Sequence, residues 1–236
     1  SIIWDWMFKH NLDRQGLILT LGGGVVGDLG GFAASVYQRG LDYVQIPTTL
    51  LAQVDSSVGG KTGLNTPQGK NLLGTFYQPR AVFIDPAVLK TLPKREIGNG
   101  LGEVLKYGII ADPQLFFWVL KNLDAFWECR LEIIGPVIRR CCQLKGDIVR
   151  VDEKDRGARR VLNYGHTLGH AWEVLTDFQV FRHGEAVLMG MLWEARLARE
   201  LNMLASAEYE LIKSGLQKVA LNWDPKQTDT EDLTRV

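Results

Sequence analysis

The sequence predicts an α/β layer with parallel strands, followed by a region built from helices alone. Short apolar runs alternate with glycine-rich or small-residue segments in the first part of the chain, whereas later apolar positions recur at helical spacing. Alternating strands and helices are typical of a parallel sheet covered by helices. The strand pattern stops at Pro93, so we predict an α/β domain over residues 1–92 and a helical domain over residues 93–236.

The composition excludes several classes of partner. Lys plus Arg and Asp plus Glu number 27 each, so the formal net charge is zero and any anion site must be local. The three cysteines are odd in number and lack CxxC spacing, which favours a reducing cytoplasm over a disulfide framework. No apolar run approaches the roughly 20 residues that span a bilayer. We therefore expect a cytoplasmic protein with neither nucleic acid nor membrane as a partner.

The chain opens with a predicted helix, a buried strand and a glycine-rich turn. The apolar side of the helix consists of Ile2, Ile3, Trp6 and Met7. The run LILTL at residues 17–21 predicts the strand, GGGVVGD at residues 22–28 follows as a turn, and a small-residue helix then ends at Gly40. Such a turn presents backbone amides to a pyrophosphate. The match to GxGxxG is imperfect, and a plain tight turn is the alternative.

A second anion site is predicted after the next strand. Residues 43–46 form that strand and lead to Thr48 and Thr49, whose hydroxyls then lie at the carboxyl end of a parallel sheet. Residues 50–71 contain four glycines and two lysines. The GGKTG run is not a P-loop, because Asp55 stands where that motif requires glycine. A local anion site or a solvated loop remain as the two interpretations.

The later segments read as one further strand and several helices. Residues 81–84 form the strand, Pro136 starts a helix that ends near residue 151, and residues 186–201 and 206–221 form amphipathic helices. Glu103 lies among apolar neighbours, three residues before Lys106. A carboxylate there is costly unless it is paired or binds a cation, and a surface Glu–Lys pair is the plainer alternative.

Histidines are concentrated in one stretch. Three of the four in the chain, His166, His170 and His183, fall within eighteen residues. His166 and His170 are four apart and share one face if the segment is helical, a spacing that a metal ion can use. The HExxH pattern is absent, so ordinary polar residues at a helix start explain the pair equally well.

The order of these motifs resembles that of 3-dehydroquinate synthases, the second enzymes of the shikimate pathway. The matching segments are GGGVVGD, IPTTLLAQVDSSVGGKTGLN, GKNLLGTFYQP, GLGEVLKYGII, LNYGHTLGHAWE and HGEAV, in one register from about Ile3 to Leu201. The resemblance implies a Rossmann-like NAD-binding domain followed by an all-α domain, a catalytic Zn²⁺ or Co²⁺ between them, and usually a homodimer. The family's earlier βα section and its helical end have no counterpart here, so a fragment is expected.

The resemblance also assigns residues. It implies that Glu103, His166 and His183 are the metal ligands and that His170 contacts the substrate instead. The implied NAD positions are Gly23, Gly24, Val25, Gly27, Asp28, Thr48, Thr49, Asp55, Lys61, Lys70, Leu89, Lys90 and Thr91. The implied substrate positions are Arg39, Asp55, Lys61, Asn71, Lys106, Lys145, Arg159, Asn163 and His170. Of these, the catalytic ones are Lys61, Lys106, Lys145, Arg159, Asn163 and His170.

The implied reaction converts 3-deoxy-D-arabino-heptulosonate 7-phosphate to 3-dehydroquinate and phosphate. It proceeds by transient NAD-dependent oxidation, phosphate elimination, reduction and intramolecular aldol closure, so that NAD is used catalytically. Another sugar phosphate cyclase, a metal-dependent NAD alcohol dehydrogenase and a truncated non-catalytic remnant remain as alternatives.

Overall fold

The computed structural model describes residues 2–66, 69–176 and 179–219, with only the backbone described for residues 69–71. The predicted α/β region followed by helices is confirmed in these residues. None of the helices that they form is both long and apolar enough to cross a membrane.

A small parallel sheet forms the first part. Helix α1 (Ile2–Lys9) precedes strand β1 (Leu17–Gly22), which pairs in parallel with β2 (Asp42–Pro47). The predicted strands at residues 17–21 and 43–46 are thereby confirmed. A third strand, β5 (Ala81–Val82), adds to β2 in parallel and is shorter than the predicted 81–84.

The glycine-rich segment forms less of a turn and more of a helix than predicted. Helix α2 (Gly24–Val36) begins inside the glycine run, so placing the whole of residues 22–28 in a turn is wrong. The reason is packing against the sheet, because an added Cβ on Gly27 would lie 2.6 Å from the Gln45 amide oxygen and one on Gly31 would lie 3.0 Å from the Tyr43 ring. These glycines therefore allow α2 to lie close to β2.

Part of the segment read as an anion site or a solvated loop is a β-hairpin. Strands β3 (Lys61–Thr66) and β4 (Gly69–Phe76) pair antiparallel, with Lys61 opposite Phe76. The solvated-loop interpretation is therefore wrong for these residues. Glycine and small polar residues hide the apolar alternation by which a strand is recognised.

The helical part begins at Lys94, directly after Pro93. Its helices in the described residues are α3 (Lys94–Ile110), α4 (Pro113–Lys121), α5 (Leu123–Trp127), α6 (Leu131–Val151), α7 (His166–Leu175), α8 (His183–Glu200) and α9 (Ser206–Val219). The start predicted for α6 at Pro136 is wrong, because Ile134 is buried in the core and extends the helix upstream. Helix α8 begins at His183 rather than residue 186, because Glu185 accepts a hydrogen bond from the Arg182 amide at 2.9 Å and caps it.

The largest apolar core spans both parts of the chain. Leu50 and Val54 pack with helical residues such as Leu101 and Val187. The domain boundary near Pro93 remains a prediction. The apolar side predicted for α1 is buried at Met7 and half-buried at Ile3, whereas Ile2 and Trp6 are largely exposed.

Helices α3 and α8 approach each other backbone to backbone. A Cβ added to Gly102 would lie 2.5 Å from the Gly184 carbonyl oxygen, and the Gly184 amide donates to the Asn99 side chain at 2.7 Å. Each of these glycines adjoins a residue implied as a metal ligand, Glu103 in α3 and His183 in α8. The contact therefore determines the separation of those two side chains.

We expect Gly102→Ala to lower the free energy of unfolding by about 1–3 kcal/mol, because two backbone segments must separate to admit the methyl group. Urea denaturation of the purified chain measures this change. Gly146→Ala in α6 is the matched control, since its added Cβ meets no heavy atom within 4 Å. The control should gain roughly 0.5–1 kcal/mol from its higher helix propensity. Equal stability of the two variants would show that the α3–α8 contact is not close packed.

Candidate metal and dinucleotide site

Three side chains from three helices converge on one point. Oε1 of Glu103 lies 3.4 Å from Nε2 of His166 and 3.6 Å from Nε2 of His183. One ligand atom from each residue falls within 4.8 Å of the other two. Glu103 is fully buried, and in the described part of the chain no group donates a hydrogen bond to its Oε1. A buried carboxylate oxygen that faces two imidazole nitrogens fits a divalent cation of the zinc type.

The two histidines are each the first residue of a helix. Gly165 has φ +79°, a left-handed conformation that glycine adopts without strain, and it turns the chain into α7 so that His166 is the first helical residue. Nδ1 of His166 lies 3.2 Å from the Tyr164 carbonyl oxygen, which leaves Nε2 facing Glu103. The residue before His183 is instead Arg182, in an extended conformation.

The three candidate ligands differ in protonation. Burial lowers the pKa of His166 to about 4. Burial would also lower that of His183, but the facing carboxylates of Glu103 and Glu173 raise its pKa to about 9. Burial acts to raise the pKa of Glu103, yet the charge of Lys106 brings it down to about 2. At neutral pH Glu103 and His166 are ready to bind a cation, and His183 must release one proton to do so.

A buried network of charges adjoins this point. Nζ of Lys145 lies 2.9 Å from Oδ1 of Asp55 and donates to its carbonyl oxygen at 2.8 Å, while the Tyr107 hydroxyl donates to the same carboxylate. Lys106 forms an ion pair with Glu103. Burial lowers the pKa of Lys145. Burial acts to raise the pKa of Asp55, but the charges of Lys145 and Lys106 lower it. Of the predicted residues, Lys106 contacts the candidate ligand Glu103 directly, and the neighbouring Asp55–Lys145 pair acts on both through its charges.

The predicted arginine is anchored to the backbone. Arg159 is buried, and its guanidinium donates to the carbonyl oxygens of Gly59 at 3.0 Å and Glu153 at 2.7 Å. Lys61, at the start of β3, forms an ion pair with Asp155 and keeps a half-exposed side chain. The Lys61 contact joins the hairpin to the segment that precedes α7, and the Arg159 contact joins that segment to Gly59, just before β3.

The remaining substrate positions have simpler surroundings. Asn163 is exposed and ends the 3₁₀ turn Ala158–Asn163, and Arg39 is exposed with φ +71°. His170 is 58% exposed, and its ring centre lies 5.4 Å from that of His166 and 5.8 Å from that of His183. The side chains of Lys70 and Asn71 lie outside the described residues.

The glycine turn and the two threonines lie together. The Thr48 amide donates to the Gly22 carbonyl at 2.9 Å, and a Cβ on Gly23 would lie 3.1 Å from the Thr49 methyl carbon. Gly23 caps α2 without a side-chain hydrogen bond, and its carbonyl accepts from the amides of Val26 and Gly27. The amides of Gly24 and Val25 are the ones left for a phosphate. Val25 is exposed at this end of the helix.

The NAD positions beyond β5 lie in the 3₁₀ turn Pro86–Thr91. Leu89 is fully buried in the main core, so any ligand contact there must come from its backbone. The hydroxyl of Thr91 donates to the Val88 carbonyl at 3.1 Å, and Lys90 is exposed. The assigned roles of all these residues remain predictions.

Sequence reasoning overlooked three residues at this site. Tyr107 and Asp155 bond to predicted residues, and Glu173 faces two of the histidines. Glu173 had a signal, because it follows His166 by seven residues and so shares its helix face. Tyr107 and Asp155 had none, since their partners are 52 and 94 residues away along the chain.

Comparisons with known proteins agree on one family. The family model described as 3-dehydroquinate synthase N-terminal matches residues 1–99, and the corresponding C-terminal model matches residues 100–236. The 3-dehydroquinate synthase of Alkaliphilus metalliredigens is 47% identical over 227 residues, which cover 96% of this chain and 64% of the relative. That of Crocosphaera subtropica is 51% identical and is covered to 61%. The chain thus spans less than two thirds of the length of these relatives.

Solved structures show the same fold. A 2-epi-5-epi-valiolone synthase from Streptomyces hygroscopicus, solved with NAD⁺ and Zn²⁺ bound, is 32% identical with a TM-score of 0.89, over 98% of this chain and 64% of that one. A 2-deoxy-scyllo-inosose synthase complexed with carbaglucose-6-phosphate, NAD⁺ and Co²⁺ is 28% identical with a TM-score of 0.91, over 99% and 64%. Glycerol dehydrogenase from Schizosaccharomyces pombe, 18% identical with a TM-score of 0.69 over 100% and 66%, shares the fold alone.

Asp28 provides a test of the buried charges. Burial raises its pKa to about 7, helped by Asp55 and opposed by Lys145. The folded chain therefore holds a proton that the unfolded chain releases, and this stabilisation is present at low pH and lost as the pH rises through 7. We expect Asp28→Asn to raise the free energy of unfolding by about 1–3 kcal/mol at pH 8 relative to its effect at pH 5.

Urea denaturation at both pH values, without NAD, measures this difference. Asp147→Asn, at an exposed carboxylate paired with Arg150, is the matched control and should change stability by no more than about 0.5 kcal/mol at either pH. An equal effect of Asp28→Asn at pH 5 and pH 8 would contradict the assignment.

Proposed function

Because the chain belongs to the 3-dehydroquinate synthase family, we propose that it converts 3-deoxy-D-arabino-heptulosonate 7-phosphate to 3-dehydroquinate and phosphate. The observation that carries this proposal is the convergence of Glu103, His166 and His183 beside a buried lysine, next to the network that reaches Asp55. The three candidate ligands and Lys106 come from the helical part of the chain, and Asp55 comes from the first part.

The donor set is suited to the implied metal. One carboxylate and two imidazoles are a ligand set of catalytic Zn²⁺, and Co²⁺ accepts the same donors. When bound, the cation and NAD supply Lewis-acid and hydride-transfer chemistry. Glu103, His166 and His183 hold the cation, and Lys106 keeps the Glu103 carboxylate ionised.

The NAD site is proposed at the start of α2. The open amides after Gly23 receive the pyrophosphate, and Thr48 and Thr49 border the same turn. The glycines leave no side chain between this backbone and the ligand. Asp28 connects the turn to Lys145 and Asp55 electrostatically.

The substrate carries a phosphate and a carboxylate, and the candidate cations match these charges. Lys106 and Lys145 are buried and supply positive charge inside the site, whereas Lys61 is half-exposed. Charge-assisted hydrogen bonds to such groups fix the orientation of an anion. His170 is exposed beside the other two histidines and is placed to accept or return a proton of the substrate.

Three further features belong to the proposal. The division into an NAD-binding domain over residues 1–92 and a metal- and substrate-binding domain over 93–236 follows the strand pattern. A homodimer follows from the family resemblance. A reducing cytoplasm is supported by Cys129, Cys141 and Cys142, which form no disulfide among the described residues.

A second cyclase substrate is a specific rival. The 2-epi-5-epi-valiolone synthase and 2-deoxy-scyllo-inosose synthase structures superpose on almost the whole chain, so the backbone suits other sugar phosphates as well. The higher identity to 3-dehydroquinate synthases, 47–51% in the relatives above, favours the heptulosonate phosphate.

Product formation by the purified chain tests the proposal. With the heptulosonate phosphate, NAD⁺ and Zn²⁺, we expect phosphate and 3-dehydroquinate in equal amounts, measured by phosphate release and by absorbance of the enone formed after dehydratase coupling. Glu103→Gln should lower kcat at least about 100-fold, because several kcal/mol of charge stabilisation depend on the cation. Glu128→Gln, at an exposed carboxylate paired with Arg130, is the control and should leave kcat unchanged.

Each other outcome contradicts the proposal in a recognisable way. Hydride transfer to NAD⁺ without phosphate loss indicates an alcohol dehydrogenase. Turnover of another sugar phosphate alone indicates a different cyclase. No turnover of any of these substrates, by a chain that still folds, indicates a non-catalytic remnant.

A further inference from the structure

A second carboxylate lies behind one of the candidate metal ligands. Glu173 in α7 is 2% exposed, and its Oε2 lies 3.6 Å from Nδ1 of His183. The other ring nitrogen of His183, Nε2, lies 3.6 Å from Oε1 of Glu103. The imidazole of His183 therefore stands between two buried carboxylates, one at each nitrogen.

We propose that Glu173 is a positioning residue that accepts a hydrogen bond from Nδ1–H of His183 and thereby directs Nε2 to the cation. A neutral imidazole carries one N–H and one lone pair, so holding the proton on Nδ1 leaves the lone pair on Nε2. Carboxylates that accept from the distal N–H of a metal-bound histidine fix its tautomer and ring orientation and increase its basicity. The proposal rests on the metal site of the proposed function and not on its substrate.

The packing of α7 on α8 holds this pair at a fixed distance. A Cβ added to Gly169 in α7 would lie 3.1 Å from the Ala186 carbonyl in α8, and one added to Gly190 in α8 would clash with the Gly165 carbonyl. The two chain segments therefore touch at Ala186 and Gly190, in the first two turns of α8 after His183. Because His166 and Glu173 are seven residues apart on one face of α7, this helix supplies one ligand and orients another.

The same carboxylate also faces His170. Oε2 of Glu173 lies 3.9 Å from Nε2 of His170, and ligand atoms of His170, Glu173 and His183 fall within 4.8 Å of one another. A second cation there would have to share His183 with the first, which requires the imidazole to lose both ring protons. His170 is also largely exposed. The hydrogen bond is therefore favoured, and a second cation is an outcome that the experiment distinguishes.

Zinc affinity tests the proposal without any turnover. The dissociation constant of Zn²⁺ is measured by competition with a chromogenic chelator, using the wild-type chain, Glu173→Gln and Glu173→Ala. Loss of an outer-shell carboxylate weakens metal binding by about 10–100-fold, and we expect that range for Glu173→Ala. Glu173→Gln should lose less, because its amide oxygen still accepts from Nδ1–H. Glu200→Gln, at the exposed end of the helix that carries His183, is the charge control and should bind Zn²⁺ like wild type.

The spectrum of the Co²⁺-loaded chain separates positioning from folding. A shift of the cobalt d–d bands in Glu173→Gln, with an unchanged urea midpoint of the metal-free chain, is expected if the carboxylate orients His183. If Glu173→Ala does not fold, the near-isosteric Gln variant still decides.

Two results would overturn the role of Glu173 but leave the metal site intact. One is that wild type and both Glu173 variants have equal Zn²⁺ dissociation constants and equal cobalt spectra. The other is that the chain binds a second equivalent of Zn²⁺ that is lost in His170→Ala. Failure of the wild-type chain to bind Zn²⁺ would overturn the metal site as well.

Discussion

The backbone contact between α3 and α8 at Gly102 and Gly184 is the constraint on which the rest of the site depends. Packed helices are normally kept apart by their side chains. Here both contacting residues are glycines, and the Gly184 amide bonds to the Asn99 side chain, so the two backbones meet directly. The neighbouring side chains, Glu103 and His183, are consequently held face to face. A second glycine contact, between α7 and α8, brings His166 to the same point.

Such a site concentrates buried charge, and its stability depends on pairing. Glu103 is paired with Lys106, and Asp55 is paired with Lys145 and accepts a hydrogen bond from Tyr107. Removing one partner from such a pair is strongly destabilising, because the other charge stays buried. The network is therefore a condition of folding as well as a binding surface, and it connects the segment after β2 with helices α3 and α6.

The sequence predicted the elements whose signal is local and missed those whose cause is distant. Strands β1 and β2 were recognisable because their apolar runs are continuous. The hairpin Lys61–Phe76 was not, since glycine and polar residues replace the alternation of a strand, and its pairing is fixed by tertiary contacts. Pro136 misled the reading of α6 because burial of Ile134 outweighs the local preference of proline for a helix start. The histidine cluster was visible, but the convergence of Glu103 on it came from resemblance alone.

Strand β1 gives the chain an unusual surface. Parallel strands are ordinarily covered on both faces, yet Leu17, Leu19 and Leu21 are 51%, 61% and 65% exposed. In the described part of the chain, β1 hydrogen-bonds to β2 and to no other strand. A row of leucines beside unpaired amide and carbonyl groups is a template for intermolecular strand addition. The six residues of this sheet margin therefore offer an apolar face and a hydrogen-bonding edge to a further segment of polypeptide.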